Sequence, residues 1–166
     1  GKELTARSIH NASARASGPF VVINAAAITP EGMESELFGI EAGEGRARQV
    51  GALEQAHGGT LFIDEVTDMP RETQNKILRV LVDQNFQRVG GGARVHVDVR
   101  LISSTSRDIE SEIRAGNFRE DLFHRLAVVP VRVPPLSERR EDIPELVEFF
   151  MEQIAQSTGL PKRIIA

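Results

Sequence analysis

Gly58-Gly59-Thr60-Leu61-Phe62-Ile63-Asp64-Glu65 is the stretch whose reading decides the fold. A short apolar run bounded by glycines ends in two adjacent carboxylates. Runs of this length fit a strand buried on both faces of a parallel sheet. Asp64 and Glu65 then emerge at its carboxyl end, where open α/β sheets bind ligands. Paired acids in a cleft suit a hydrated divalent cation and an activated water. Magnesium takes hard oxygen ligands and keeps several waters, so one carboxylate can suffice. The alternative for the same residues is a core strand followed by a solvated acidic turn.

Working outward, apolar runs alternate with helical patterns. Phe20-Val21-Val22-Ile23 reads as a second buried strand closed by Asn24, which is either a turn residue or a polar group facing the acids. Leu101-Ile102-Ser103-Ser104-Thr105-Ser106 reads as another central strand, ending in hydroxyls. Leu4, Ala6, Ile9 and Ala12 allow a first helix ending before Gly18-Pro19, and residues 34–39 close a short one. After Met69-Pro70, Ile77, Leu78, Leu81 and Val82 recur at helical spacing. Residues 86–89 and Val95, Val97 and Val99 read as strands joined by Gly90-Gly91-Gly92. Asp108 opens a helix stopped at Gly116, and Phe118, Leu122 and Leu126 form a stripe. Farther on, Val129, Val131 and Val133 predict a strand, and Asp142 caps a helix burying Leu146, Val147, Phe150 and Ile154. The segment 40–50, rich in glycine and charge, reads as an exposed, mobile loop with no apolar anchor before Val50. This alternation predicts an α/β layered sheet, not a repeat protein.

The 166 residues are ample for one domain with a sizeable core. A net charge of −4 leaves no basic footprint of the kind nucleic-acid domains carry. The chain lacks cysteine, which removes disulfide and thiolate chemistry and is compatible with a cytoplasmic setting. No apolar run approaches membrane-spanning length, so no membrane partner is expected. The four histidines share no metal-ligand spacing and read as surface or internally satisfied groups.

Gly1-Lys2-Glu3-Leu4, Asn24-Ala25-Ala26, Glu36-Leu37-Phe38-Gly39, residues 58–65, Phe118-Arg119-Glu120-Asp121-Leu122 and Pro135-Leu136-Ser137-Glu138-Arg139 occur in one order. Together they resemble the central AAA+ domain of the nitrogen-regulator (NtrC) type of bacterial enhancer-binding proteins, the activators of sigma-54 RNA polymerase. The likeness runs along essentially the whole chain and is nearest to the NtrX branch, response regulators of two-component systems. It implies an AAA+ P-loop NTPase core over residues 1–136, a parallel sheet between helices, and the start of a helical lid over 137–166. The glycine-rich Walker A body and its strand would precede Gly1, and most of the lid would follow Ala166. The chain, which does not begin with methionine, is therefore expected to be a piece of a longer protein, inactive by itself.

The resemblance assigns roles residue by residue, with ATP and Mg2+ as cofactors. Gly1, Lys2 and Glu3 match the end of the Walker A loop, with Lys2 on the phosphates. Asp64 is similar to the magnesium-associated Walker B carboxylate, and Glu65 to the residue that polarises water. Asn24 matches the asparagine that holds and switches that glutamate, which turns the reading of Asn24 away from a plain turn. Thr105 matches the sensor of the γ-phosphate, while Ser106 stands where many relatives carry asparagine or histidine. Arg119 and Arg125 match arginine fingers that reach a neighbouring subunit; the alternative for both is a solvated helix flank. Implied partners are a second copy of the chain, DNA through another domain, and a sensor histidine kinase through a receiver domain. One departure stands out. Most of the family carries a Gly-Ala-Phe-Thr-Gly-Ala loop tip that touches the sigma factor, and here residues 40–51 are shorter, without phenylalanine or threonine. Two functional readings remain: an ATP-hydrolysing regulator, or a nucleotide-sensing or oligomerisation module of a DNA-binding one.

Overall fold

A computed structural model describes residues 1–127. Its centre is a parallel sheet of β1 (Phe20–Asn24), β2 (Thr60–Asp64) and β5 (Arg100–Ser103), in the order β1-β2-β5. The register runs from Phe20 opposite Thr60 to Asn24 opposite Asp64, and from Thr60 opposite Arg100 to Ile63 opposite Ser103. Long crossovers make these parallel pairings possible. Between β1 and β2 lie α2 (Pro30–Phe38) and α3 (Ala52–Gln55). Between β2 and β5 lie α4 (Arg71–Asp83) and an antiparallel pair, β3 (Asn85–Gln87) with β4 (Arg94–His96). The chain enters through α1 (Lys2–Ala12) and, past β5, continues into α5 (Ile109–Arg114) and α6 (Glu120–Leu126).

The central strand is apolar throughout because both its faces are covered. Leu61 and Ile63 join Met33, Leu37, Phe38, Leu53, Ile77, Val80, Phe118 and Leu122 in one core. Phe62, on the opposite face, stacks on Phe20, whose ring meets that of His10 from α1. Buried His10 is fully satisfied: Nε2–H donates to the Gly18 carbonyl at 3.1 Å, which leaves Nδ1 to accept from the Thr60 hydroxyl at 2.7 Å. At the start of the β1–β2 pair the backbones approach so closely that a Cβ on Gly59 would overlap the Pro19 carbonyl.

Several expectations change. Val22 is partly exposed, because β1 is an edge of the described three-stranded sheet and is covered on one face. Leu4 and Val82 point to solvent; α1 buries Ala6, Ile9 and His10, and α4 buries Thr73, Gln74, Ile77 and Val80. The segment 40–50 is exposed, as expected, but it is a tied hairpin. Ile40 and Gln49 exchange both backbone hydrogen bonds at 2.9 Å, as do Gly43 and Arg46 at 3.0 Å. Glu41 and Val89 fasten its base to the chain before the glycine turn through Glu41 N–H to Val89 O and Val89 N–H to Gly39 O, both 3.0 Å. Charge, and not an apolar anchor, closes the arrangement: Val50 is exposed, while Arg88 grips Glu54 through Nε and Nη2 at 2.7 and 3.0 Å and Glu41 through Nη1 at 3.0 Å. The strand at Val129, the helix behind Asp142 and the lid boundary at 136/137 lie outside the described residues.

Candidate active site

The carboxyl end of β2 gathers the first group of candidate residues. Asp64 is its last residue, and its Oδ1 accepts from the Ser104 hydroxyl at 2.6 Å and from the Glu65 N–H at 3.0 Å. Its Oδ2 has no hydrogen-bond partner among the described residues and remains open to a ligand. The sheet ladder then skips a residue: Ser104 N–H donates to Ile63 O, and Val66 N–H donates to Ser104 O. Glu65 is squeezed out between them in left-handed backbone, with φ 52 and ψ 52. For a side chain without glycine's freedom this costs roughly 1–2 kcal/mol. Such outliers persist where the surroundings over-determine them, and here they do. Glu65 Oε2 accepts from both the N–H and the hydroxyl of Ser106, at 3.2 and 3.0 Å. Glu65 Oε1 lies 3.8 Å from Lys2 Nζ.

That ion pair brings the start of α1 to the end of β2. Gly1 is the N-cap of α1 and offers no side-chain cap, so the first-turn amides have no intrahelical partner. Lys2 is the first helical residue, and exposed Glu3 faces Arg7 one turn on at 3.5 Å. Asn24 ends β1 beside Asp64, but its Oδ1 accepts from the Ala26 N–H at 3.0 Å, the geometry of a turn. No hydrogen bond joins Asn24 to Glu65 among the described residues. Thr105 shares a hydrogen bond of 2.9 Å with Thr67, in the short 3-10 turn Val66–Asp68, and accepts from the Arg107 N–H. Ser106, one residue farther, is the one that meets Glu65.

Arg119 and Arg125 stand apart from this cluster, at the two ends of α6. Arg119 is the helix N-cap; its Nε and Nη2 fork onto Asp121 at 3.0 and 2.8 Å. That bidentate contact holds the Asp121 carboxyl below its ordinary value and raises the Arg119 guanidinium above its own. Arg119 lines an open groove with Arg71, Phe118 and His124. Among the described residues, exposed Arg125 reaches the Leu81 carbonyl, at 3.4 Å. Neither arginine forms an ion pair with Asp64 or Glu65.

Three participants escape the sequence patterns: Ser104 on Asp64, Ser106 on Glu65 and Gln74 behind Arg119. The hydroxyl run after β5 was a signal for the first two, since it falls at the sheet's carboxyl edge. Gln74 was legible only as a polar residue three positions before Ile77 on the buried stripe.

Residues 1–132 match the sigma-54 interaction domain. The nitrogen assimilation regulatory protein NtrX of Azorhizobium caulinodans is 72% identical over 163 residues, covering 98% of this chain and 36% of that protein. The chain thus spans about a third of the length of the curated relatives it matches. A crystal structure of NtrX from Brucella abortus covers all of this chain and 37% of its own, with TM-score 0.79 and 68% identity; two more, in complex with ADP and with ATP, match at TM-score 0.79 and 67% identity over 36% of theirs. The P-loop NTPase domain of an Escherichia coli sigma-54 activator, 21% identical with TM-score 0.55 over 82% of this chain and 77% of its own, shares the fold.

Proposed function

The chain belongs to the sigma-54 interaction domain family, the AAA+ P-loop domain of NtrC-type regulators, on its NtrX branch, and from that premise we propose that it binds ATP and hydrolyses it in an assembled parent protein. The observation that carries the reading is the meeting of Lys2 with the Asp64–Glu65 elbow, from two elements far apart in sequence. Binding is supported by the ATP complex of the Brucella relative. In this reading Gly1, Lys2 and Glu3 close the phosphate loop. Lys2 leaves Glu65 for the phosphates, a point charge exchanged for another anion. The free Oδ2 of Asp64 suits a hydrated magnesium ion, which takes few protein ligands. No group of three or more His, Cys, Asp or Glu side chains among the described residues could cage a metal, so phosphate and water would complete its shell. When bound, the ion neutralises phosphate charge.

Glu65 then holds the attacking water, accepting its proton as the water's oxygen forms a bond to the γ-phosphorus and the bond to ADP breaks. Thr105 senses the γ-phosphate, and Asn24 engages Glu65 after releasing the Ala26 amide. Arg119 and Arg125 act on a neighbouring copy's phosphates. A guanidinium stays charged and binds two oxygens at once, and such fingers are worth roughly three to five orders of magnitude in rate. Donation across an interface makes turnover depend on assembly. The core extends to residue 136 in this reading, with the lid beginning at 137.

The parent is a cytoplasmic two-component regulator that binds DNA through another domain and receives its signal from a histidine kinase. It controls transcription by occupying DNA, with ATP tuning its oligomeric state, and does not remodel sigma-54 polymerase. The tied hairpin supports this: its exposed Glu44, Arg46 and Arg48 would be costly to desolvate against an apolar partner. ATP-dependent open-complex formation at a sigma-54 promoter would refute that part. Steady-state ATPase of the intact protein against its own concentration tests the chemistry. Specific activity should rise with concentration; no turnover at any concentration, with ATP bound, would leave a nucleotide-sensing module.

A further inference from the structure

One buried amide joins the two separated halves of the site. Gln74, in the first turns of α4, is fully buried. Its Nε2 donates to the Met69 carbonyl at 2.8 Å and to the Asn117 carbonyl at 2.9 Å, and its Oε1 accepts from the Arg119 N–H at 2.9 Å. Two carbonyls and one N–H admit a single orientation of the amide, and both its hydrogens are used.

The three partners are not arbitrary backbone. Met69 closes the 3-10 turn for which Glu65 is the N-cap, through Met69 N–H to Val66 O, after Asp68 N–H to Glu65 O. Asn117 and Arg119 flank buried Phe118 at the entry to α6. The Asn117 and Phe118 amides are satisfied from α5, at Glu112 O. Among the described residues, the Arg119 amide has Gln74 alone. Arg71, one turn earlier on α4, adds a second grip on the same segment by donating to the Gly116 carbonyl.

Resting on the reading that Arg119 works across an interface, we propose that Gln74 is its positioning residue. It fixes where the finger-bearing turn begins relative to the turn that follows Glu65. Through it, the residue that orients water in one protomer and the arginine that the same protomer offers its neighbour share one rigid spacer. A merely space-filling amide would leave the arginine's function untouched.

The test uses the full-length parent protein. Gln74→Leu keeps the volume and removes all three hydrogen bonds; Gln74→Glu keeps the acceptor for Arg119 and serves if the leucine variant does not fold. Affinity for MgATP should stay within about threefold while turnover falls by about tenfold or more. Mixing with Glu65→Gln protein, itself slowed at least about tenfold, should restore activity above the sum of the two, because the second protomer supplies a well-placed Arg119 to an intact Glu65. Amide exchange over residues 117–122 should quicken by about tenfold with β2 unchanged. Normal ATP binding without recovery on mixing would overturn the assignment, and so would unchanged exchange, a readout that needs no turnover. A wild type that hydrolyses no ATP would instead remove the catalytic reading and leave the exchange result to judge Gln74's hold.

Discussion

Replacing Glu65 by glutamine should separate binding from turnover, in a direction the ion pair fixes. Glu65 Oε1 lies 3.8 Å from Lys2 Nζ, and the two side chains are 21% and 32% exposed. A partly screened pair of this kind contributes about 0–1 kcal/mol. ATP must displace it, since Lys2 cannot serve the carboxylate and the phosphates together. Glutamine removes the competing charge, so affinity should hold or tighten by up to about fivefold, the equivalent of about 1 kcal/mol. The new side chain can stay in place by presenting its oxygen to the Ser106 N–H and hydroxyl, while its NH2, a donor like the ammonium, gives Lys2 no partner to leave. Hydrolysis loses its proton acceptor and should fall at least about tenfold. Equilibrium titration with ATP and single-turnover hydrolysis on the intact protein read the two effects separately. Affinity falling in proportion to turnover would refute the reasoning and make Glu65 a structural residue.

Arg88→Met should loosen the hairpin without touching the acidic elbow: exchange at the Ile40, Glu41 and Val89 amides quickens while ATP affinity stays, and unchanged exchange would show that the backbone bonds suffice. Acid should unfold the domain through carboxyls held low. Glu41 is lowered by the Ala42 N–H and then by Arg48 and Arg88, and Asp121 chiefly by Arg119, from ordinary values of 4.5 and 3.8. A depressed folded pKa gives stability that is present above the unfolded value and lost as pH falls through the folded one. Melting temperature should therefore hold at neutral pH and drop below about pH 4, with a shallower drop in Glu41→Gln. Gly59→Ala places a methyl against the Pro19 carbonyl and should destabilise by about 1–3 kcal/mol in a denaturant melt, with no effect if the strands can part freely.

Some of this was open to reading along the chain and some was not. β2 could be read because a strand covered on both faces has no polar interruptions to confuse its period. The helical spacing of Ile77, Leu78 and Leu81 makes α4 legible too, but not its buried face. Periodicity counts apolar residues, so it promoted Val82, which faces water, and passed over Gln74, whose three hydrogen bonds reach residues five to forty-five positions away. In the segment 40–50 glycine and charge favour a plain loop locally, while the ion pair that ties the hairpin, Arg88 with Glu41, spans 47 residues. Composition cannot see such partners. The resemblance brought the acids, Lys2 and the arginines together as a set. It did not reveal that Ser106 grips Glu65, or that Arg119 is already forked onto Asp121 within its own helix.

The hairpin of residues 40–49 also says something about how such a domain can gain and lose sequence. Its two ends hold each other at Ile40 and Gln49, and its base is stitched to Val89, so the tip between Gly43 and Arg46 carries no load from the sheet. Lengthening a loop already closed at its neck adds only about 0.6 kcal/mol per doubling. Insertions and deletions at that tip are thus nearly neutral for folding. A lineage can acquire a longer, sticky loop there, or discard one, while the elbow at Glu65 goes on unaltered beneath it.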